Sequence, residues 1–231
     1  MKSYTCIFFD LDHTLWDFET NSCETLRELY ATYKLNMCGV DECKRFEQQF
    51  KKVNVQLWDL YDRGLIDSQV IRKERFKQVL EHFQIYDEKL CLDLSVEYLE
   101  KCPTKAGLIP HAMETLHYLS KKYPMTVVTN GLEEVQHVKL TSGNLHRFFQ
   151  HVVTSQKAGH KKPSREIFEY AMRANRVTCD QVIMIGDNLL TDIGGAMNAS
   201  IDTVFFNPEE VAHTVNVKHE IRSLAELQNI L

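Results

Sequence analysis

The sequence contains no C-x-x-C pair, no H-E-x-x-H, no block of lysine and arginine, and no apolar run long enough to cross a membrane. Its seven cysteines, at 6, 23, 38, 43, 91, 102 and 179, are odd in number and scattered. That spacing excludes a disulfide framework and a zinc knuckle and leaves them as small, mostly buried apolar residues. The ten histidines are equally dispersed, so they read as solvated or hydrogen-bonded imidazoles. With a net charge of -5 and a pI near 6.1 there is no basic field, and neither a nucleic-acid polymer nor a membrane is expected as a partner. The first fourteen residues reach Asp10 and Asp12 before any apolar stretch of signal-peptide length, so the expected compartment is cytoplasmic. Nine glycines and five prolines form no low-complexity tract.

What remains is an ordinary globular composition, 44% hydrophobic and 26% charged over 231 residues, enough for one large domain or for a core with an insert. Short runs of strand formers recur at Tyr4 to Asp10, Met125 to Thr129, His151 to Thr154, Val182 to Ile185 and Thr203 to Phe206. Helical stretches alternate with them at Ala112 to Lys122, Arg165 to Ala174 and Thr191 to Ala199. This is the α/β pattern of a parallel, Rossmann-like sheet with helices on both faces and right-handed crossovers. From about Thr20 to Lys101 the period changes to that of helices, as in Phe46, Phe50, Val53, Leu57 and Leu60. Asp41 and Asp67 stand as expected N-caps, Gly39 and Gly64 as expected stops, giving about four helices. Trp58, Tyr61 and the phenylalanines of this insert are expected to pack between helices.

Four segments carry chemistry, each just beyond the carboxyl end of an expected strand, where open parallel sheets bind ligands. Asp10 and Asp12 are two apart in extended chain and so address one pocket. Two such carboxylates need a cation or a shared proton to relieve their repulsion, and a hard divalent cation supplies that relief. Thr129-Asn130-Gly131 offers a hydroxyl, an amide and peptide N–H groups ahead of a helix beginning near Leu132, which suits a phosphate oxygen, although T-N-G is also an ordinary turn. Lys161-Lys162-Pro163 offers a fixed cation. In Gly186-Asp187-Asn188-Leu189-Leu190-Thr191-Asp192, Asp187 can join Asp10 around a metal, while Asp192, with Asn188, supports that site from behind or caps a helix.

Read together as DLDHT, TN, KKP and GDNLLTD, these segments resemble the motifs of the haloacid dehalogenase-like hydrolases. The resemblance covers the whole core. It implies a catalytic core of residues 1–15 and 103–231 with a helical cap, residues 16–102, inserted after the first strand. It also implies Mg²⁺ held by Asp10, the Asp12 backbone carbonyl and Asp187. Asp10 is then the nucleophile that forms an aspartyl phosphate, Asp12 the general acid and then base, Thr129, Asn130 and Gly131 the phosphate holders, and Lys162 the catalytic lysine. Lys162 is preferred to Lys161 because the family's lysine usually directly precedes proline. Asp192 and Asn188 fall in the supporting shell. A carboxylate at Asp12 favours phosphate chemistry over halide displacement, which needs no acid for its leaving group.

A narrower likeness, in DLDHTLWDFETNS, TNG and FFNP, is to the bacterial pyrimidine nucleoside 5′-monophosphatases. It implies a small-molecule phosphomonoester as substrate and places Trp16 and Phe18 either at the mouth of the site, stacked on a base, or packed in the hinge, with Phe18 leaning to packing. A sugar-phosphate phosphatase, a phosphomutase, or a phosphate-binding protein without turnover remain the competing readings. Ser200 stands where relatives often have glycine at a left-handed helix stop. Nothing in the sequence sets the oligomeric state.

Overall fold

Four consecutive apolar residues, Cys6–Phe9, are buried on both faces and form β1, the strand around which the rest is laid. In the computed structural model, which describes residues 4–231, β1 pairs in parallel with β2 (Met125–Thr129) on one side and with β4 (Val182–Gly186) on the other. The sheet is completed by β3 (Phe149–Thr154), β5 (Asp202–Phe206) and β6 (His219–Ile221), in the order β3-β2-β1-β4-β5-β6, all parallel. The chain builds outward from β1 to β3, then returns to add β4 on the opposite edge of β1. That reversal makes the carboxyl ends of β1 and β4 the switch point where a parallel sheet opens a crevice.

The described chain divides into two compact units, one formed by the segment ending at Phe18 with Ala106–Leu231, the other by Glu19–Lys105. In the second, α1 (Phe18–Thr32, nearly all of it in this unit), α2 (Cys43–Asp62), α3 (Ser68–His82) and α4 (Glu88–Lys101) are the four helices the periodicity predicts. Phe46, Phe50, Phe76 and Tyr98 meet ring to ring at their centre. The Arg75 guanidinium is buried among these rings, with Asn54 Oδ1 as its hydrogen-bond acceptor at 3.2 Å. Asp67 caps α3, accepting from the Gln69 and Val70 amides. Asp41 does not cap α2: Glu42 takes the N-cap position with no side-chain bond, and Asp41 pairs instead with Arg45 one turn along. Trp58 and Tyr61 pack edge to face against each other, ring centroids 5.4 Å apart.

In the sheet unit, α5 (Ala112–Leu119) ends three residues before the expected Lys122, because the chain must turn extended ahead of Pro124. It is followed by α6 (Glu133–Ser142), the short α7 (Ser155–Ala158) and α8 (Arg165–Asn175). Ile167, Phe168 and Ala171 of α8 pack on Cys6, Phe8, Val128 and Met184 of the sheet. The helix expected over Thr191 to Ala199 instead begins at Leu189 as one π-helical turn, Leu189–Gly194, and runs into α9 (Gly195–Asn198). Ser200 beyond it has φ of 61°, the left-handed stop at which a glycine would be unstrained. The chain closes with α10 (Leu227–Ile230).

Candidate active site

Asp10 follows β1 directly, and its amide continues the ladder by donating to the Ile185 carbonyl at 2.9 Å. That bond aims its side chain past the carboxyl edge of the sheet, beside Asp187 at the end of β4. Lys162, which is 2% exposed, brings its ammonium to 2.5 Å from Asp10 Oδ1, 2.6 Å from Asp192 Oδ1 and 2.8 Å from the Val128 carbonyl. All three ammonium protons therefore have acceptors. Asp10 and Asp192 raise the Lys162 pKa despite its burial, so the amine is a fixed positive charge. Lys161 is less deeply buried than Lys162.

The lysine is aimed by its backbone. The Asn130 side chain accepts from the Lys162 amide at 2.8 Å and donates to the Lys162 carbonyl at 2.9 Å. The amide group expected to hold phosphate is thus engaged in holding the lysine. Thr129 Oγ1 accepts from the Gly131 amide and from Gln136 Nε2. Its own proton is left to donate, as a phosphate oxygen requires.

Asp10, Asp187 and Asp192 each offer a carboxylate oxygen, and the three lie within 4.8 Å of one another. Asp192 has both oxygens engaged, Oδ1 by Lys162 and Oδ2 by the Asn188 amide at 3.0 Å. Asn188 caps the π-helical turn by accepting from the Leu190 and Thr191 amides. Asp10 and Asp187 differ from Asp192: Lys162 takes one oxygen of Asp10, Thr14 donates to one of Asp187 at 2.8 Å, and the second oxygen of each has no partner among the described residues. Burial pushes the Asp10 carboxyl well above the usual range, with Asp192 and Asp187 adding to the rise and Lys162 opposing it. Burial, with Asp192, likewise raises Asp187 to about 6. Three clustered carboxyls, those of Asp10 and Asp192 buried and that of Asp187 half-buried, outnumber the one ammonium beside them. A small, hard dication with oxygen ligands fits the free oxygens of Asp10 and Asp187.

Asp12 faces a different environment. Its Oδ1 is 2.6 Å from the ammonium of Lys139, and its Oδ2 accepts from Gln136 Nε2 at 2.9 Å. Burial raises the Asp12 carboxyl, but the charge and hydrogen bond of Lys139, with Gln136, carry it below its ordinary value. Neither Gln136 nor Lys139 was among the residues picked from the sequence. Their signal was there: both fall on the buried side of α6 with Leu140, where apolar residues belong, while Val138 is exposed. Trp16, read as a candidate for stacking on a base, is fully buried, and the Lys139 ammonium lies 4.5 Å from its ring centroid. Phe18 packs against Trp16 and the His13 ring.

A parallel sheet carrying acidic side chains at its switch point, beside a buried lysine, is the arrangement of a Rossmann-like α/β enzyme. Residues 7–206 match the model of the haloacid dehalogenase-like hydrolases, and the chain belongs to that family. It is 30% identical over 232 residues to the pyrimidine 5′-nucleotidase YjjG of Escherichia coli (strain K12), covering 97% of this chain and 96% of that protein. It is 40% identical over 220 residues to a glyceraldehyde 3-phosphate phosphatase of Pyrococcus furiosus, covering 89% and 82%. Among solved structures, the magnesium-bound HAD-hydrolase YfnB of Bacillus subtilis superposes with a TM-score of 0.89 at 26% identity, covering 99% of both chains.

Proposed function

We propose that this protein is a Mg²⁺-dependent phosphomonoester hydrolase working through an aspartyl phosphate, with a nucleoside 5′-monophosphate, pyrimidine-preferring, as substrate. The observation that carries the reading is Asp10 at the sheet edge, gripped by Lys162 at 2.5 Å, with Asp187 and Asp192 beside it. Asp10, Asp187 and the Asp12 backbone carbonyl would hold the cation, which when bound draws phosphate charge away from the attacking carboxylate. The helical unit corresponds in its place along the chain to the family's cap.

In the first step a carboxylate oxygen of Asp10 forms a bond to phosphorus as the ester P–O bond breaks. Asp12 gives its proton to the departing oxygen. In the second step water attacks the aspartyl phosphate, its proton passes to Asp12, and inorganic phosphate leaves as the Asp10 carboxylate is restored. Lys162 offsets the charge gathered on Asp10 and the phosphoryl oxygens, and Thr129 donates to one of those oxygens. The two roles of Asp12 call for opposite protonation states. Its contacts with Lys139 and Gln136 favour the ionised one, which serves the second step.

Sugar phosphates are the second reading. It is favoured by the 40% identity to a glyceraldehyde 3-phosphate phosphatase and by the burial of Trp16, which removes one aromatic face from a base. The deciding experiment measures phosphate release with Mg²⁺ from UMP, dUMP and dTMP against purine nucleotides and sugar phosphates. Preference for the pyrimidine nucleotides supports the nucleotidase assignment, and equal rates on all of them remove it. Release that persists in excess chelator, or in Asp10→Asn, overturns the phosphatase reading itself.

A further inference from the structure

Asp12 has both carboxylate oxygens held by one helix, α6, through residues one turn apart. Resting on the phosphatase reading above, we propose that Gln136 and Lys139 are positioning residues that together aim the Asp12 carboxyl, and that Gln136 ties this aim to the phosphate-holding Thr129. A single donor fixes one oxygen and lets the carboxyl pivot about it. Two donors on two oxygens, Gln136 Nε2 on Oδ2 and Lys139 Nζ on Oδ1, fix both its plane and its direction.

The Gln136 amide is shared between Asp12 Oδ2 and Thr129 Oγ1, 2.9 Å from each. Its orientation is settled by the chemistry, because the reversed amide would set a carbonyl against a carboxylate. Lys139 is held in turn: its ammonium lies 4.5 Å from the Trp16 ring centroid and 5.6 Å from that of Phe18. Simple neutralisation of a half-buried acid would need Lys139 alone. Gln136 is present at a visible structural cost. It is fully buried, its Oε1 has no partner among the described residues, and it fits only because Gly131 has no side chain, since a Cβ there would overlap Nε2 and lie 2.5 Å from Cδ. That cost is understandable where the carboxyl must point one way while phosphate sits on Thr129.

The test compares single-turnover phosphoryl transfer, at fixed Mg²⁺, from glycerol 3-phosphate and from p-nitrophenyl phosphate. The first has an alkoxide leaving group that needs a proton, the second a phenolate that does not. Gln136→Leu and Lys139→Met, which keeps the apolar stem on Trp16, each compared with wild type at its own pH optimum so that a changed protonation of Asp12 cancels, are expected to lose about 30-fold or more on the alkyl ester and under about threefold on the aryl ester. KM and the Mg²⁺-induced rise in melting temperature should stay near wild type, and Lys139→Arg should recover most of the loss. Gln136→Leu also deletes the orphaned Oε1, so it decides the matter should Lys139→Met fail to fold. Equal losses on the two esters, or no loss on the alkyl ester, overturn the proposal while leaving the phosphatase reading intact. A wild type that transfers phosphate from neither ester overturns both.

Discussion

Gly186 and Asp192 are packed so closely that a Cβ on the glycine would overlap Asp192 Oδ2 and lie 2.6 Å from its Cβ and Cγ. Only hydrogen fits there, so the last residue of β4 is glycine in order that Asp192 can fold back and reach Lys162. Gly186→Ala should push Asp192 away, loosening Lys162 without touching the reacting groups. The expected result is a loss of about 1–3 kcal/mol in stability from overpacking, with kcat falling about tenfold or more as the lysine loses its fixed position. Thermal melts and steady-state kinetics on one preparation check both. An alanine variant with unchanged kcat would show that Asp192 does not set the lysine.

Lys162 and Asp10 should separate stability from activity. Lys162→Met leaves Asp10, Asp187 and Asp192 facing one another without the ammonium that pairs with two of them. Breaking a buried pair from the lysine side is expected to cost about 3–5 kcal/mol in metal-free protein at neutral pH. Asp10→Asn instead removes one of three mutually repelling acids, and Lys162 keeps Asp192. That variant should melt within a few degrees of wild type while phosphate release falls about 10³-fold or more. Denaturant melts in chelator, beside phosphate assays in Mg²⁺, distinguish the two.

The sheet was legible because buried parallel strands are written as unbroken apolar runs, and Cys6–Phe9 and Val182–Gly186 could be nothing else of that length. Asp10 and Asp187 could be placed for the same reason, since a charge directly after such a run has to sit at the edge of the sheet. The contacts of Asp12 could not. Gln136 lies 124 positions along the chain from it and Lys139 lies 127, and only the sheet's crossover brings α6 to the end of β1. The residue type of Asn130 suits a phosphate, whereas its bonds to the Lys162 peptide were fixed by tertiary packing. The π-helical turn at Leu189 was hidden as well, because it depends on Asn188 capping and on Asp192 folding toward Gly186.

The two aspartates read as N-caps give a contrast in the helical unit. Asp67 accepts from two amides of the first turn of α3, at 2.8 and 3.1 Å, so Asp67→Ala should cost about 1 kcal/mol. Asp41 makes an exposed pair with Arg45 and caps nothing in α2. Asp41→Ala should therefore stay within about 0.5 kcal/mol of wild type. Urea unfolding of both variants measures the difference, and equal costs would contradict the capping assignment.

The raised carboxyls of Asp10 and Asp187 make metal binding and pH inseparable. In metal-free protein both groups hold protons more tightly folded than unfolded. The stability they contribute is therefore complete below the ordinary carboxylate range, and it is lost as pH rises through about 6 for Asp187 and through the raised value of Asp10. A dication competes with those protons, since it binds the ionised carboxylates. The rise in melting temperature on adding Mg²⁺ should therefore be small at pH 5 and grow steadily to pH 7.5. In Asp187→Asn both the rise and its pH dependence should shrink. Calorimetric scans with and without Mg²⁺ at several pH values test this, and a metal-induced shift equal at pH 5 and pH 7.5 would mean that these two carboxylates are not what the cation binds.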